Sequence, residues 1–201
     1  MDFSIVIEAL EQRGYSVKSF ATAVSAAEYL NAQIDQTTVG FGGSVTLKEM
    51  ELYDLLSTHN QVFNHWRIPD GMTAGEVRSY AAVADVYISS VNGLAETGEI
   101  VNIDGTGNRV ASMIYGHKRL YLVIGRNKVL PTYEETLHHV RNVAAPKNAV
   151  RLGLRTPCAV KGDHCYNCNS PQRICNVLSV LWNPIKPCKT EIILVDEDLG
   201  Y

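Results

Sequence analysis

The first 157 residues of this 201-residue chain contain no cysteine, and no stretch of it holds 18 consecutive apolar residues. The second absence excludes a membrane-spanning helix. The N-terminus lacks the basic segment of a secretory signal, so the expected location is the cytoplasm. Charged residues make up only 19% of the chain against 46% hydrophobic residues, which excludes a disordered or fibrous protein. At this length we expect one domain with an appendage.

Several common functional motifs are also missing. The chain has neither a P-loop lysine nor the glycine fingerprint of a dinucleotide-binding fold, so it carries no NAD or flavin motif. No G-x-S-x-G motif marks a hydrolase nucleophile. The six histidines show no metal-ligand spacing. A histidine-based metal site is therefore not expected.

Positive charge is concentrated in one part of the chain. Residues 118–173 contain ten Lys or Arg and three acids, a balance of +7, which leaves −10 elsewhere because the whole chain carries −3. This pattern indicates a small anionic partner, such as a phosphate, coenzyme A, a substrate carboxylate or an anionic cluster. A solvated basic helix face is the alternative. The overall acidity argues against a large nucleic-acid footprint.

Short β-rich runs alternate with amphipathic segments along the chain. The predicted strands are 15–20, 38–41, 62–65, 86–90, 100–103, 120–124 and 191–195. Capping boxes predict four helix starts, at Ser25, Thr46, Thr73 and Thr132. A long basic helix is expected over 132–154, kinked or split at Pro146. The alternation predicts an α/β fold, a layered open sheet with helices on both faces.

The C-terminal part of the chain differs in composition from the rest. All five cysteines and four of the seven prolines lie after residue 154. We therefore expect an α/β domain over 1–154 and a cysteine-rich metal or redox loop over 155–190. A final strand over 191–201 is expected to return to the sheet.

A glycine-rich turn follows the second predicted strand. Gly40, Gly42, Gly43 and Ser44 lie directly before the predicted helix start at Thr46. Glycines there let the backbone approach a ligand closely, and a helix start offers N–H groups to an anion. The pattern predicts an anion-binding loop, with a tight structural turn as the alternative.

Two further turns contain residues suited to chemistry. Glu96 lies between small residues, beside Thr97 and Gly98, and a carboxylate in such a setting can act as a base or nucleophile. A plain structural turn is the alternative. Another glycine turn leads into Asn108 and Arg109, whose guanidinium suits bidentate binding of a carboxylate or phosphate. Arg109 could equally form an ion pair with a nearby aspartate, Asp104.

Four cysteines form a cluster with metal-ligand character. Cys158, Cys165, Cys168 and Cys175 lie within 18 residues around a C-x2-C core. Four thiolates at this spacing can bind a [4Fe-4S] iron–sulfur cluster or a tetrahedral zinc ion. The same spacing also fits a thiol–disulfide switch or four unligated cysteines. Cys188 is expected to be a spare thiol.

Several stretches resemble the LUD-domain family, the lactate-utilisation (LutC/YkgG-like) group formerly described as a domain of unknown function. They are VGFGGSVT at 39–46, ADVYISSVNGLAETGEIV at 84–101, the Asn108-Arg109 pair and NVAAPKNAVRLG at 142–153. The resemblance covers about residues 5 to 195. The cysteine-rich stretch 165–176 is similar to the end of a subset of short family members.

The resemblance implies a fold like the NagB/RpiA/CoA-transferase group, in which glycine turns at strand ends bind sugar phosphates or thioesters. It implies that Glu96 is the acid/base or nucleophile and that Arg109 helps to hold the anion. The expected anion or substrate site also includes Gly40, Gly42, Gly43, Ser44, Thr97, Gly98 and Asn108. Family members are associated with oxidising L-lactate to pyruvate together with iron–sulfur partner proteins. This chain departs from their single-domain subunit in having its own cysteine tail.

Three functions follow as hypotheses. The first is a redox protein of the lactate-utilisation type, which binds a small hydroxy or keto acid and carries an iron–sulfur cluster on its tail. The second is a CoA-transferase-like or phosphosugar-isomerase-like enzyme that uses Glu96, with a structural metal in the tail. The third is a non-catalytic metal-dependent regulator that binds a partner or nucleic acid through its basic region, 118–173. An iron–sulfur electron-transfer protein is the expected partner under the first hypothesis.

Overall fold

Six parallel strands form the central sheet of the computed structural model, which describes residues 1–201. In spatial order they are β1 (Ser16–Phe20), β10 (Lys189–Val195), β7 (Arg119–Gly125), β4 (Val86–Ser90), β2 (Thr38–Phe41) and β3 (Gln61–Phe63). The central strands β7 and β4 are buried along almost their whole length. Burial on both faces explains why β7 is a nearly continuous apolar run.

The chain forms nine α-helices. They are α1 (Ser4–Gln12), α2 (Ala23–Gln33), α3 (Val45–Glu49), α4 (Leu52–Leu56), α5 (Ala74–Ala82), α6 (Asn108–Ile114), α7 (Tyr133–His139), α8 (Ala145–Arg151) and α9 (Pro157–Lys161). Helices α1 to α6 pack on the two faces of the central sheet. On one face, Leu30 of α2 and Leu52 of α4 share a core with Val123 of β7. On the other, Leu10 of α1 shares a core with Leu122 of β7. None of the helices is long and apolar enough to cross a membrane.

A second, smaller sheet packs on one side of the central sheet. Its strands, in spatial order, are β8 (Val129–Leu130), β5 (Gly93–Ala95), β6 (Ile100–Asp104) and β9 (Val177–Leu181). Strand β9, which comes from the cysteine-rich segment, pairs antiparallel with β6. Leu94 of β5 and Leu181 of β9 belong to the same core as α1. A strand ladder therefore joins the segment 155–190 to the rest of the molecule.

The structure confirms a mixed α/β fold with a parallel central sheet and helices. The finer expectation of a NagB/RpiA-like layout stays a prediction. All seven predicted strands are present, and β2 and β4 have the expected bounds. Strands β5, β8 and β9 were not predicted. Strands β5 and β8 are runs of three and two residues, too short to show a period, and β9 lies in the segment that was expected to be a loop.

Two of the four predicted helix starts are wrong. The starts of α5 and α7 are capped as expected, by Thr73 and Thr132. Helix α2 starts earlier than predicted, because the Thr22 hydroxyl accepts the Ser25 N–H at 3.2 Å. Helix α3 is capped by Ser44, while Thr46 lies buried in its first turn. The hydroxyl of Thr46 is thus available for tertiary contacts.

The helix predicted over 132–154 is interrupted next to Pro146, as expected. Helix α7 continues through a π-helical turn, Val140–Ala144, into α8, with Pro146 in the first turn of α8. A proline has no N–H to donate to the preceding turn, so it breaks the regular α-helical hydrogen-bond pattern. The interruption takes the form of a π-helical turn, a type that is frequent at functional sites.

Gly40 provides a test of how β2 packs on α5. A Cβ added there would lie 2.3 Å from the backbone oxygen of Ala81 in α5. We expect Gly40→Ala to lower the free energy of unfolding by about 1–3 kcal/mol, because a strand or helix must shift to admit the methyl group. Urea denaturation measures the difference in unfolding free energy between the variant and the wild type.

The matched control is Gly75→Ala within α5. The nearest atom to its added Cβ is 3.8 Å away, and alanine favours helix over glycine, so stability should stay equal or rise. Equal stability of the two variants would show that β2 and α5 are not in close contact.

Candidate functional site

A polar cavity of about 330 Å³ opens at the carboxyl ends of the parallel strands. We call it the basic cavity. Residues that follow five different strands line it, among them Ser44, His65, Asn92, Lys128 and Tyr201. In open α/β sheets, ligands bind at this edge, where loops from several strands converge.

The basic cavity carries an excess of positive charge. Four cationic side chains and one carboxylate line it: Arg78, Arg109, Lys128 and Arg151, against Asp104. Such an excess of cations over carboxylates attracts anions. Lys128 and Arg151 belong to the basic stretch 118–173 that indicated an anionic partner.

The guanidinium of Arg109 is buried and fully bonded within the protein. Its Nη atoms donate to four acceptors at 2.8 to 3.0 Å: Ser90 O, Asn92 Oδ1, Asn102 Oδ1 and Ile103 O. Its Nε lies 3.7 Å from a carboxylate oxygen of Asp104. Burial lowers the pKa of Arg109, and the Asp104 charge acts in the opposite direction. Arg109 therefore supplies positive potential to the cavity, with its donors already used.

Lys128 is the most deeply buried cation of the basic cavity, with 4% of its surface exposed. Its Nζ donates to Thr46 Oγ1 at 2.8 Å and to Ser90 Oγ at 2.9 Å, and it forms no ion pair. Burial first, and the charge of Arg109 second, lower the pKa of Lys128 to about 7, against a smaller opposing effect of Glu49. Its amine is therefore partly neutral near pH 7.

Further polar groups of the basic cavity lack protein partners. Arg78 Nε and His65 Nδ1 are buried without a hydrogen bond. Burial, aided by the charge of Arg78, lowers the pKa of His65. Arg151 donates to Asn148 at 2.8 Å and lies 5.0 Å above the Trp66 ring. Unsatisfied buried groups favour a ligand that completes their hydrogen bonds.

The predicted glycine loop divides into two parts. Gly43 and Ser44 line the basic cavity. Gly40 packs against α5, and a Cβ added at Gly42 would lie 2.4 Å from Ser89 Oγ. Gly40 and Gly42 therefore allow close packing behind the cavity wall. The Ser44 hydroxyl accepts the Leu47 N–H and caps its own helix.

A second cavity, of about 210 Å³, lies beside the first. The four predicted metal ligands all line it: Cys158, Cys165, Cys168 and Cys175. We call it the thiol cavity. Ile103 and Ile174 line both cavities, so the two spaces meet at this pair of side chains. Cys188 lies elsewhere and packs against the hydrophobic core.

Hydrogen-bond donors face the sulfur atoms of the thiol cavity. Arg173 Nη2 lies 3.3 Å from Cys175 Sγ, and the Asn167 N–H donates to Cys165 Sγ at 3.3 Å. Arg141 is a second cation in the lining. Positive charge and N–H donors around thiolates stabilise an anionic metal cluster and tune its potential.

The four thiols share one cavity but do not surround a common metal position. No group of three or more Cys, His, Asp or Glu side chains is arranged to hold a metal ion. Binding of an iron–sulfur cluster or of zinc by these cysteines therefore stays a prediction.

The remaining predicted site residues fall into two groups. Asn108, like Arg109, lines the basic cavity. The rest lie in the turn between β5 and β6: Glu96, Thr97 and Gly98. Arg13 Nε donates to the Thr97 carbonyl at 2.9 Å, and Arg13 also pairs with Glu99. Glu96 lines neither the basic cavity nor the thiol cavity, and its catalytic role stays a prediction.

Sequence reasoning missed several residues of the basic cavity: His65, Arg78, Lys128 and Arg151. Lys128 could have been found from the sequence, because it follows the end of the most apolar strand, β7, by three residues. Arg78 could not have been found, since an arginine on an amphipathic helix is most often a solvated side chain.

The fold and the two cavities define an α/β protein with an anion-attracting site at the sheet's carboxyl edge and a four-cysteine site next to it. The family model of the LUD domain matches residues 4–195. The chain therefore belongs to the LUD-domain family, which is associated with lactate utilisation.

A solved structure is similar in fold. The crystal structure of a DUF162 family protein from Deinococcus radiodurans superposes with a TM-score of 0.50, over 97% of this chain and 99% of that chain. The two sequences are 12% identical, so the likeness concerns the fold alone. A comparison with curated proteins gave no match.

Lys128 makes stability depend on pH. Its pKa falls from 10.5 to about 7 on folding, so between these values the unfolded chain binds more protons, and stability rises with pH. Lys128→Met removes this dependence. We expect the unfolding free energy of the wild type, relative to that variant, to rise between about pH 7 and about pH 10, measured by urea denaturation.

Lys48→Met is the control, because Lys48 is exposed on α3. The difference in unfolding free energy between Lys48→Met and the wild type should change little over the same pH range. A pH-independent difference for Lys128→Met would mean that the amine is not buried as described.

Proposed function

We propose that this protein binds a small 2-hydroxy or 2-oxo acid in the basic cavity and acts in electron transfer through an iron–sulfur cluster held in the thiol cavity. The observation that carries this proposal is the shared wall of Ile103 and Ile174, which puts the two sites side by side. The family's association with lactate utilisation supports an acid of this class. The proposed partner is a separate iron–sulfur protein that takes the electrons onward.

Two cations of the basic cavity that form no ion pair are suited to the carboxylate. Arg78 and Arg151 stand at the cavity lining, and a guanidinium binds a carboxylate through two parallel hydrogen bonds. Arg78 Nε and His65 Nδ1, which have no protein partner, gain one from the ligand. Arg109 adds positive potential from behind.

The thiol cavity contributes the redox site. A [4Fe-4S] cluster bound by its four cysteines would supply one-electron chemistry. Arg173 and the backbone N–H of Asn167 offset the negative charge at the sulfurs. Ile103 and Ile174 keep water from the boundary between the two sites, because both side chains are apolar.

The alternative enzymes that would use Glu96 have less support. A CoA-transferase or isomerase of that kind needs its carboxylate at the bound substrate, whereas Glu96 lies in a turn outside both cavities. No second function is proposed on this basis.

Metal analysis tests the redox site. After anaerobic purification we expect about four irons and four acid-labile sulfides per chain, with a visible absorption band. The Cys165→Ala and Cys168→Ala variants should each lose the iron and the sulfide, because each substitution removes a cluster ligand. Cys188→Ala is the matched control and should keep both, since Cys188 packs in the core.

One zinc per chain without sulfide would contradict the redox proposal. Equal loss of iron in the Cys188→Ala variant would contradict the assignment of the ligands. Circular dichroism of all variants checks that each one is folded.

Ligand binding tests the basic cavity. We expect Arg78→Gln to weaken binding of L-lactate and pyruvate by about 10-fold or more, since a hydrogen bond to a charged group contributes about 1.5–3 kcal/mol. Isothermal titration calorimetry measures the affinity.

Arg119→Gln is the control for this change. Arg119 is exposed at the start of β7, the opposite edge of the sheet, so binding should not change. An equal loss of affinity in both variants would point to a nonspecific charge effect and would count against the site.

A further inference from the structure

The hydrogen bonds around Lys128 occupy two of the positions around its amine nitrogen. The Thr46 hydroxyl donates to Leu199 O at 3.1 Å, and the Ser90 hydroxyl donates to Val91 O at 3.4 Å. A hydroxyl has a single proton, so both oxygens must accept from Lys128 Nζ. A neutral amine satisfies them with its two N–H bonds. Its lone pair then faces the remaining side, where Lys128 lines the basic cavity.

The surroundings of this amine favour the neutral form. A buried lysine with a structural role is normally paired with a carboxylate, and Lys128 has none. The guanidinium of Arg109, held in place by its own bonds, adds a positive charge nearby. Gly200 covers the amine closely, since a Cβ added there would lie 3.3 Å from Nζ. Burial beside another cation is a recognised way to make a lysine nucleophilic at neutral pH.

We propose that Lys128 forms an imine with the carbonyl carbon of a 2-oxo acid bound in the basic cavity. The inference rests on the proposed function for its class of substrate and adds a covalent step. The Nζ lone pair attacks the carbonyl carbon, and a C=N bond replaces the C=O bond. The two amine protons leave with the carbonyl oxygen as water, so the step needs no oxidant or reductant.

The position of Lys128 suits this reaction. It ends the short turn Arg126–Lys128 after the carboxyl end of β7, and it lines the cavity although only 4% of its surface is exposed. Arg78 and Arg151 also line this cavity and can hold the carboxylate next to the reacting carbonyl. Asp104 is the one carboxylate in the lining, and it lies beside the guanidinium of Arg109.

Reductive trapping tests the imine. The wild-type protein is incubated with pyruvate or 2-oxobutyrate, treated with sodium borohydride, and digested for peptide mass spectrometry. We expect a reduced adduct on the peptide that contains Lys128, at a higher occupancy than on any exposed lysine. L-Lactate lacks the carbonyl group and should give no adduct. Lys128→Arg should give none, whereas Lys18→Arg, altered at an exposed lysine, should still give it.

Calorimetry on the same wild-type sample separates the two proposals. Binding of pyruvate without an adduct on Lys128 would overturn the imine and leave the proposed binding site in place. An adduct spread evenly over exposed lysines would also overturn it. Absence of binding by the 2-oxo acids and by L-lactate would overturn both proposals. The wild-type peptide map answers the question even if a Lys128 variant fails to fold.

Discussion

The buried guanidinium of Arg109 is the interaction on which the candidate site depends. It joins the end of β4, through Ser90 O, to strand β6 of the smaller sheet, through Asn102 and Ile103. Removing it would delete four hydrogen bonds from a charged donor, each of which contributes about 1.5–3 kcal/mol. Because its N–H donors are used within the protein, the guanidinium acts on the cavity through its charge and not through direct hydrogen bonds. That charge helps to keep the neighbouring amine of Lys128 neutral.

The cysteine-rich segment reaches the basic cavity through the same part of the structure. A Cβ added at Gly105 would lie 3.1 Å from Ile174 Cα, so this glycine allows the segment to pack closely on the turn before α6. Asn176 donates to the Gly105 carbonyl at 2.9 Å and fixes the contact. Strand β9 then continues into the smaller sheet. The thiol cavity is thereby positioned by the strand that also carries the acceptors of Arg109.

Much of the fold could be predicted, because strands that are buried on both faces are recognisable in the sequence as apolar runs. The helix starts were harder, since Thr46 has the sequence of a capping residue but Ser44 takes that role. Of the smaller sheet only β6 was predicted. Strands β5 and β8 are very short, and β9 obtains its partner from a distant part of the chain. The cysteine cluster was visible as a spacing, and all of its four members line one cavity.

The candidate site was harder to predict, because it depends on which residues the fold brings together. Glu96 was predicted as a functional residue because its neighbours are small, yet the pairing of β5 with β6 places it outside both cavities. Lys128 looked like one of many basic residues. Its role follows from burial, from two hydroxyls and from the charge of Arg109, and these come together only in the folded chain.

The most direct test of the account is the reduction potential of the anaerobic protein, measured by visible absorbance with and without saturating pyruvate. An anion bound next to the thiol cavity disfavours addition of an electron there, so the account predicts a lower potential with pyruvate. Arg78→Gln should require more pyruvate for the same shift. A potential that pyruvate leaves unchanged, or a protein without a redox-active chromophore, would contradict the account.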